Sequence, residues 1–253
     1  MSQPVRTTTK ESMMRELFKV GAHFGFSRRR RHPSTSPFIV GFKNKNAVIN
    51  LEETIVALEQ ATEMVKKLAS EGKSILFVGN KPEARDIVKR YAENLDLPYV
   101  AERWIGGTFT NFPEIKKRVN RLATITEQEK KGELGKYTKK ERGVIAKEKK
   151  DLERYFAGIS TMNTMPAAVV LVDPLSESIA VAEANQLRIP IIALCGSDCN
   201  IDNIACPVVA NDSQVASITY FLKAVSDAYK EGAKLAAEKK AAAPVEAEVV
   251  SVE

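Results

Sequence analysis

Short unbroken apolar runs alternate with helical stripes along most of this chain, and that alternation predicts an α/β fold built on a parallel sheet. The runs are residues 74–79 (SILFVG), 168–174 (AVVLVDP) and 189–194 (IPIIAL), apolar almost throughout, as strands buried on both faces must be. A helix is predicted over 9–20, stopped by Gly21, and a second where Leu51, Ile55, Leu58, Met64, Val65 and Leu68 keep helical spacing ahead of Gly72. Further helices are predicted from Pro82 to about residue 95, over 176–187 and over 212–229. Residues 99–101 and 208–209 read as short extended pieces. Near the N-terminus, residues 38–40 and 47–49 pair as a hairpin across the polar turn 43–46, whereas 23–37 (HFGFSRRRRHPSTSP) reads as a basic loop punctuated by Pro33 and Pro37. Right-handed crossovers place the helices on both faces of such a sheet.

One stretch breaks the alternation. Between Pro113 and Tyr155 the apolar positions thin out to Ile115, Val119, Leu122, Ile125, Val144 and Leu152, helically spaced, with 131–135 (KGELG) as a natural tip. A sparse stripe among charges predicts an antiparallel two-helix hairpin that projects from the body. The expected organisation is an α/β body over 1–112 and 156–230, the inserted hairpin at 113–155, and an Ala-, Lys-, Glu- and Val-rich disordered tail over 231–253.

Composition adds limits. At 253 residues and 44% hydrophobic content the chain can bury a full core. Its three cysteines all fall within 195–206 without framework spacing, which predicts free thiols in a reducing compartment. No stretch approaches the roughly 20 apolar residues of a membrane span, so no membrane partner is expected. The first residues lack an apolar signal core, which leaves a bacterial cytoplasm and an organelle interior both open.

Charge changes the picture more. Residues 1–50 carry ten Lys or Arg against two acids, and 113–154 carry fourteen against eight, in a chain whose net charge is +6. These two stretches hold +8 and +6, so the remainder sums to −8. Confined in this way, the cations predict contact surfaces for a polyanion. The first set is Arg28, Arg29, Arg30 and Arg31 beside His32, followed by Lys43 and Lys45. Such a run cannot enter a core, and its self-repulsion is relieved by water or by phosphate oxygens, where neutralisation releases counterions. The second set is Lys116, Lys117, Arg118, Arg121, Lys130, Lys131, Lys136, Lys139, Lys140 and Arg142, with Lys147, Lys149 and Lys150 further on, and in it Lys117 and Arg121 stand one helical turn apart, as do Lys136 and Lys140. A solvated charged helix pair is the competing reading there, since Glu127, Glu129, Glu141 and Glu148 offer internal partners. The segment 103–111 (RWIGGTFTN) separates sheet from hairpin. Its paired glycines admit close backbone approach, which predicts a mainly structural loop with Arg103 as its contact residue.

Catalysis would have to use the carboxyl ends of the strands, where open α/β sheets place ligands. Asp173 and Asp198 could hold Mg²⁺ with Lys81 near a phosphate, which makes a phosphate-handling enzyme the alternative function. Against it, the chain has no GxxxxGK[ST], GxGxxG or nucleophile elbow, and Asp before Pro at a strand end is commonly a turn or cap. A zinc site from Cys195, Cys199, Cys206 and Asp198 lacks a close Cys pair and a nearby His, so buried thiols are expected and no metal or other cofactor. A third reading, a protein-interaction module whose hairpin pairs with another helix, uses no RNA at all.

The ordered segments 20–25 (VGAHFG), 77–81 (FVGNK), 103–111, 171–174 (LVDP), Glu183-Ala184, Ile189-Pro190 and 210–212 (AND) closely resemble those of one family, the second protein of the bacterial-type small ribosomal subunit. The resemblance spans most of the chain. It implies a flavodoxin-like αβα body with a protruding coiled-coil hairpin, partners that are small-subunit ribosomal RNA and other small-subunit ribosomal proteins, a cytoplasmic place on the ribosome, and neither catalysis nor a small-molecule substrate. Phe26 stands where that family usually has His, Gly196 and Asp198 replace a common Asp and Asn, and Cys206 replaces a residue that is often aromatic. No metal is therefore carried over to that loop.

Overall fold

The computed structural model describes residues 4–242. It opens with helix α1 (Pro4–Lys19), which Gly21 ends at φ +70°, followed by strand β1 (Phe24–Ser27) and a 3₁₀ segment, Pro33–Phe38. Strands β2 (Ile39–Lys43) and β3 (Asn46–Ile49) form the expected hairpin. Its turn residues Asn44 and Lys45 both take left-handed conformations, at φ +50° and +70°, as a two-residue turn that matches strand twist requires.

Helix α2 (Leu51–Ser70) starts where the Asn50 side chain accepts the Glu52 amide, and Gly72 turns the chain out of it at φ +70°. Then follow β4 (Ile75–Val78), α3 (Pro82–Glu93, with proline at its first position), β5 (Tyr99–Val100), α4 (Phe112–Lys130) and α5 (Lys139–Phe156). The remaining elements are β6 (Ala168–Val172), α6 (Ser178–Gln186), β7 (Ile191–Cys195), β8 (Cys206–Val209) and α7 (Val215–Ala242).

Strands β5-β4-β6-β7-β8 make one parallel five-stranded sheet in that order, and β1-β3-β2 a small antiparallel one. Alternate side chains of each central strand feed two cores. Ile75, Phe77, Val170, Ile192 and Leu194 pack with α1, α2, α3 and α7 on one face, while Leu76, Val78, Val169, Leu171 and Ile191 pack with α6, Trp104, Phe109 and the bases of α4 and α5 on the other. The fold is the α/β, flavodoxin-like arrangement expected from the alternation, with its switch in strand order between β4 and β6.

Helices α4 and α5 pack side by side. Ile115, Leu122, Ile125, Leu152 and Phe156 bury their root in the second core, whereas no residue from 126 to 151 is buried. Arg121 spans the pair with two hydrogen bonds to Glu148, at 3.0 and 3.1 Å.

Two expectations need correction. The segment 23–37 is not all loop: Phe24–Ser27 forms a strand because β3 supplies its partners, Val48 opposite Phe24 and Asn46 opposite Ser27, across an irregular register. A four-residue strand held by one neighbour leaves little periodic signal. The last helix does not stop at 229 either. It continues to Ala242, so the part of the expected tail from 231 to 242 is helical, and residues 243–253 lie outside the described residues. Gly232 lets α7 lie against the α2 backbone, since a Cβ there would come within 2.4 Å of the Lys66 carbonyl oxygen, and Lys66 pairs with Glu231 at 2.9 Å.

Candidate nucleic-acid interface

The carboxyl ends of the strands bring three charged side chains together below the surface. Lys81, entering α3 after β4, places Nζ 2.9 Å from Oδ2 of Asp173 after β6 and 2.7 Å from Oδ2 of Asp212 after β8. All three side chains are largely or wholly buried, so this contact is a folding element first. Asp173 sits at φ +62° and also caps the following turn, accepting the Leu175 amide at 3.1 Å and the Ser176 hydroxyl at 2.7 Å. Burial pushes the Asp173 carboxyl up, but Ser176 and Lys81 outweigh it and hold the group below its ordinary range. Asp212 lies deeper, and burial with its acidic neighbours Asp173 and Asp198 holds it above that range despite Lys81. The two carboxylates hold the Lys81 ammonium above its ordinary range although burial works against it.

Lys81 and Asp173, two members of the phosphate-handling alternative, are thus brought together, but as a closed ion cluster. The lysine is spent on two carboxylates, and Asp198 instead receives the Arg30 guanidinium at 3.3 Å. With its charge balanced by two carboxylates, Lys81 is not the free cation that the phosphate-handling alternative needs.

The β7–β8 loop anchors the N-terminal basic segment. Ser197 accepts the Phe26 amide on its hydroxyl at 2.8 Å, and its carbonyl accepts the His32 amide at 3.0 Å and the Thr35 hydroxyl at 2.9 Å. Arg30 therefore has two internal engagements, Asp198 and the Phe26 ring 4.5 Å away. Arg28, Lys43 and Lys45 come together on the small sheet: the Arg28 amide donates to the Lys45 carbonyl at 3.1 Å, and its guanidinium lies 5.4 Å from the Phe42 ring centre. Arg28, Arg29, Arg31, Lys43 and Lys45 have no carboxylate partner among the described residues, and all but the half-buried Arg31 are exposed.

On the helix pair, Lys117 is engaged by Glu114 at 2.6 Å and Arg121 by Glu148. Lys116, Arg118, Lys136, Lys139, Lys140 and Arg142 are exposed and, among the described residues, unpaired, as is Arg103 on the loop that leads into α4.

That loop has an unexpected centre. Oε1 of Glu183, on α6, accepts Trp104 Nε1–H at 3.2 Å and the Gly107 amide at 2.7 Å, and Oε2 accepts the amides of Phe109 and Thr110 at 2.9 and 3.2 Å and the Thr110 hydroxyl at 3.3 Å. Burial pushes this carboxyl up, but the converging amides pull it down further, so it stays ionised. The Ribosomal protein S2 family profile matches residues 17–232. The chain belongs to the ribosomal protein S2 family.

Relatives named "Small ribosomal subunit protein uS2" include one from Mesoplasma florum, 42% identical over 226 residues that cover 89% of this chain and 85% of the relative. Another, from Helicobacter acinonychis, is 38% identical over 222 residues, covering 88% and 90%. A third, from Helicobacter hepaticus, is 39% identical over 219 residues, covering 87% and 83%.

In this S2-family chain the 103–111 loop is tied to α6, but not through the close backbone approach expected of its glycines: a Cβ at Gly106 would meet nothing within 4 Å and Gly107 serves its φ of +90°, while the group that organises the loop was not legible locally. Glu183 is 73 to 79 positions away from its donors, and an acid on a helix reads as solvent-facing until the fold is known. Asp212 was likewise unassigned before the structure placed it on Lys81. Cys206 Sγ meets Met64 Sδ at 3.9 Å and Cys199 Sγ meets Asp173 Oδ1 at 3.6 Å, and burial pushes both thiols up.

Glu177 adds a testable feature. It is 2% exposed, its Oε1 accepts the Asn80 amide at 2.9 Å, and its Oε2 has no protein partner. Burial, with help from Asp173 and against the Asn80 amide, pushes this carboxyl up to about 7. A raised carboxyl keeps its proton in the folded state, so its contribution is present below the unfolded value of 4.5 and is lost as pH rises through about 7. Glu177→Gln is expected to lie close to the parent near pH 4.5 and to exceed it by about 3 kcal/mol at pH 8 in denaturant unfolding. Equal stabilities at both pH values would show that Glu177 is ionised without cost.

Proposed function

We propose that this chain is a structural constituent of the small ribosomal subunit, holding ribosomal RNA through two sets of surface cations and meeting neighbouring ribosomal proteins. It is not an enzyme, and its place is the ribosome in the cytoplasm. The observation that carries the RNA surfaces is the set of exposed, unpaired cations Arg28, Arg29, Lys43 and Lys45 on the small sheet, with Lys116, Arg118, Lys136, Lys139, Lys140 and Arg142 on the helix pair. Arg103 extends the surface at the loop between them in sequence. Cations left without carboxylates on a folded surface gain from phosphate oxygens what they do not obtain internally. Helix α4 and α5 act as an arm in this reading, rooted in the body through Leu122, Ile125 and Leu152. Contacts to phosphate and sugar suit folded RNA, whose A-form helices hide their base edges in a deep, narrow groove.

Binding to small-subunit RNA measured across a salt series tests this. The parent is expected to show a steep fall of log K with log salt, and the combined replacement of Arg28, Arg29, Lys43 and Lys45 by Ala is expected to lower that slope by about 3. An unchanged slope removes the N-terminal surface. Binding to subunit particles that survives both nuclease and high salt would favour protein contacts instead.

A further inference from the structure

We propose that Tyr137, at the distal end of the helix pair, stacks on an unpaired base of the bound RNA. The proposal rests on the RNA-binding reading above and adds to it the kind of nucleotide that the tip meets.

Tyr137 is the only aromatic residue between 126 and 151, and its side chain is 41% exposed. Tyr137 packs in neither core, and it lies within electrostatic reach of Arg121 on α4. Its backbone is nevertheless held on both sides. The Tyr137 amide donates to the Leu134 carbonyl at 3.2 Å, closing the 3₁₀ turn Glu133–Lys136 after Gly132 at φ +71°. Immediately after it, Thr138 and Glu141 form a reciprocal cap on α5: the Thr138 amide donates to Glu141 Oε2 at 2.9 Å and the Glu141 amide to Thr138 Oγ1 at 3.4 Å. An exposed ring on an ordered turn is a platform whose ordering has been met before a ligand arrives.

The charge around it selects the ligand. Residues 130–142 carry six Lys or Arg against two acids, and one of those acids, Glu141, is committed to the Thr138 cap. Lys136, Lys139, Lys140 and Arg142 are left without carboxylate partners among the described residues. Cations flanking an exposed ring suit a strand whose backbone is anionic and whose bases are apolar on their faces. A paired A-form stem offers no free face, so the base belongs to a loop, bulge or end.

The test uses the full chain and small-subunit RNA across a salt series, with affinities compared at one salt concentration within it. Tyr137→Ala and Tyr137→Leu are expected to weaken binding about five- to 150-fold without changing the salt slope, while Tyr137→Phe stays within about twofold of the parent. A benzophenone side chain introduced at position 137 is expected to crosslink to an unpaired nucleotide. Equal affinities for the parent, Ala and Leu forms, or crosslinks in assembled subunits only to another protein, overturn the proposal. Failure of the underlying reading looks different, because the parent itself would then bind RNA weakly and without a salt slope.

Discussion

Glu183→Ala is expected to destabilise the protein by about 3–5 kcal/mol, because several buried donors lose their acceptor at about 1–3 kcal/mol each and water replaces only part of it. The carboxylate takes five donors from a single loop, four of them backbone or indole N–H groups, in a side chain that is 7% exposed. Alanine leaves those donors facing each other around a void, where water can satisfy only some. Glu183→Gln keeps one carbonyl but turns an amine toward donors, so it should fall between alanine and the parent. Because Trp104 is the only tryptophan and bonds directly to Glu183, its emission reports on the same event and should shift to the red before the global transition. The folded carboxyl is depressed, so the stability it supplies is present above the ordinary carboxylate range and is lost as pH falls through the folded value. The gap between parent and alanine variant should therefore narrow in acid. A loss below about 1 kcal/mol with unchanged emission would mean that the loop keeps its shape without the carboxylate.

Lys81→Met should cost a similar amount, about 3–5 kcal/mol at pH 7, because it leaves Asp173 and Asp212 buried, close together and without their shared cation. Methionine fills most of the volume, so the effect is electrostatic rather than a cavity. Once the cation is gone, both carboxyls are driven upward by burial and by each other, and the variant recovers stability by taking up protons. The cost should shrink between pH 7 and pH 5. Adding Asp212→Asn to Lys81→Met removes one orphaned charge and should return part of the loss, a coupling that a double-mutant cycle by denaturant unfolding would measure. A pH-independent cost with no coupling would assign Lys81 a packing role only. Neither variant alters an exposed cation, so RNA affinity per folded molecule should stay near that of the parent.

Much of the architecture was legible because periodicity reports local geometry. Residues 75–78, 168–172 and 191–195 are apolar at every position, and only strands covered on both faces tolerate that. The turn at Asn44 and Lys45, the stops at Gly21 and Gly72, and the start at Pro82 follow from backbone preferences that need no distant partner. What escaped was either short or completed from elsewhere. Strand β1 exists because β3 lies beside it, and α7 runs past 229 because Gly232 can approach α2.

The same division holds for the charged residues. That Arg28 to Arg31 and the lysines from 116 to 140 lie at the surface was determined by the sequence alone, since unpaired cations in such numbers cannot be desolvated. Which of them remain available was decided only by tertiary structure. Arg30 is taken by Asp198, 168 positions away, and Lys81 by Asp212, 131 positions away, while Arg28 keeps its charge free above Phe42. Local spacing sets what a residue can offer, but a carboxylate within hydrogen-bond reach decides whether the offer is already used. That distance exists only once the strands have been brought into one sheet.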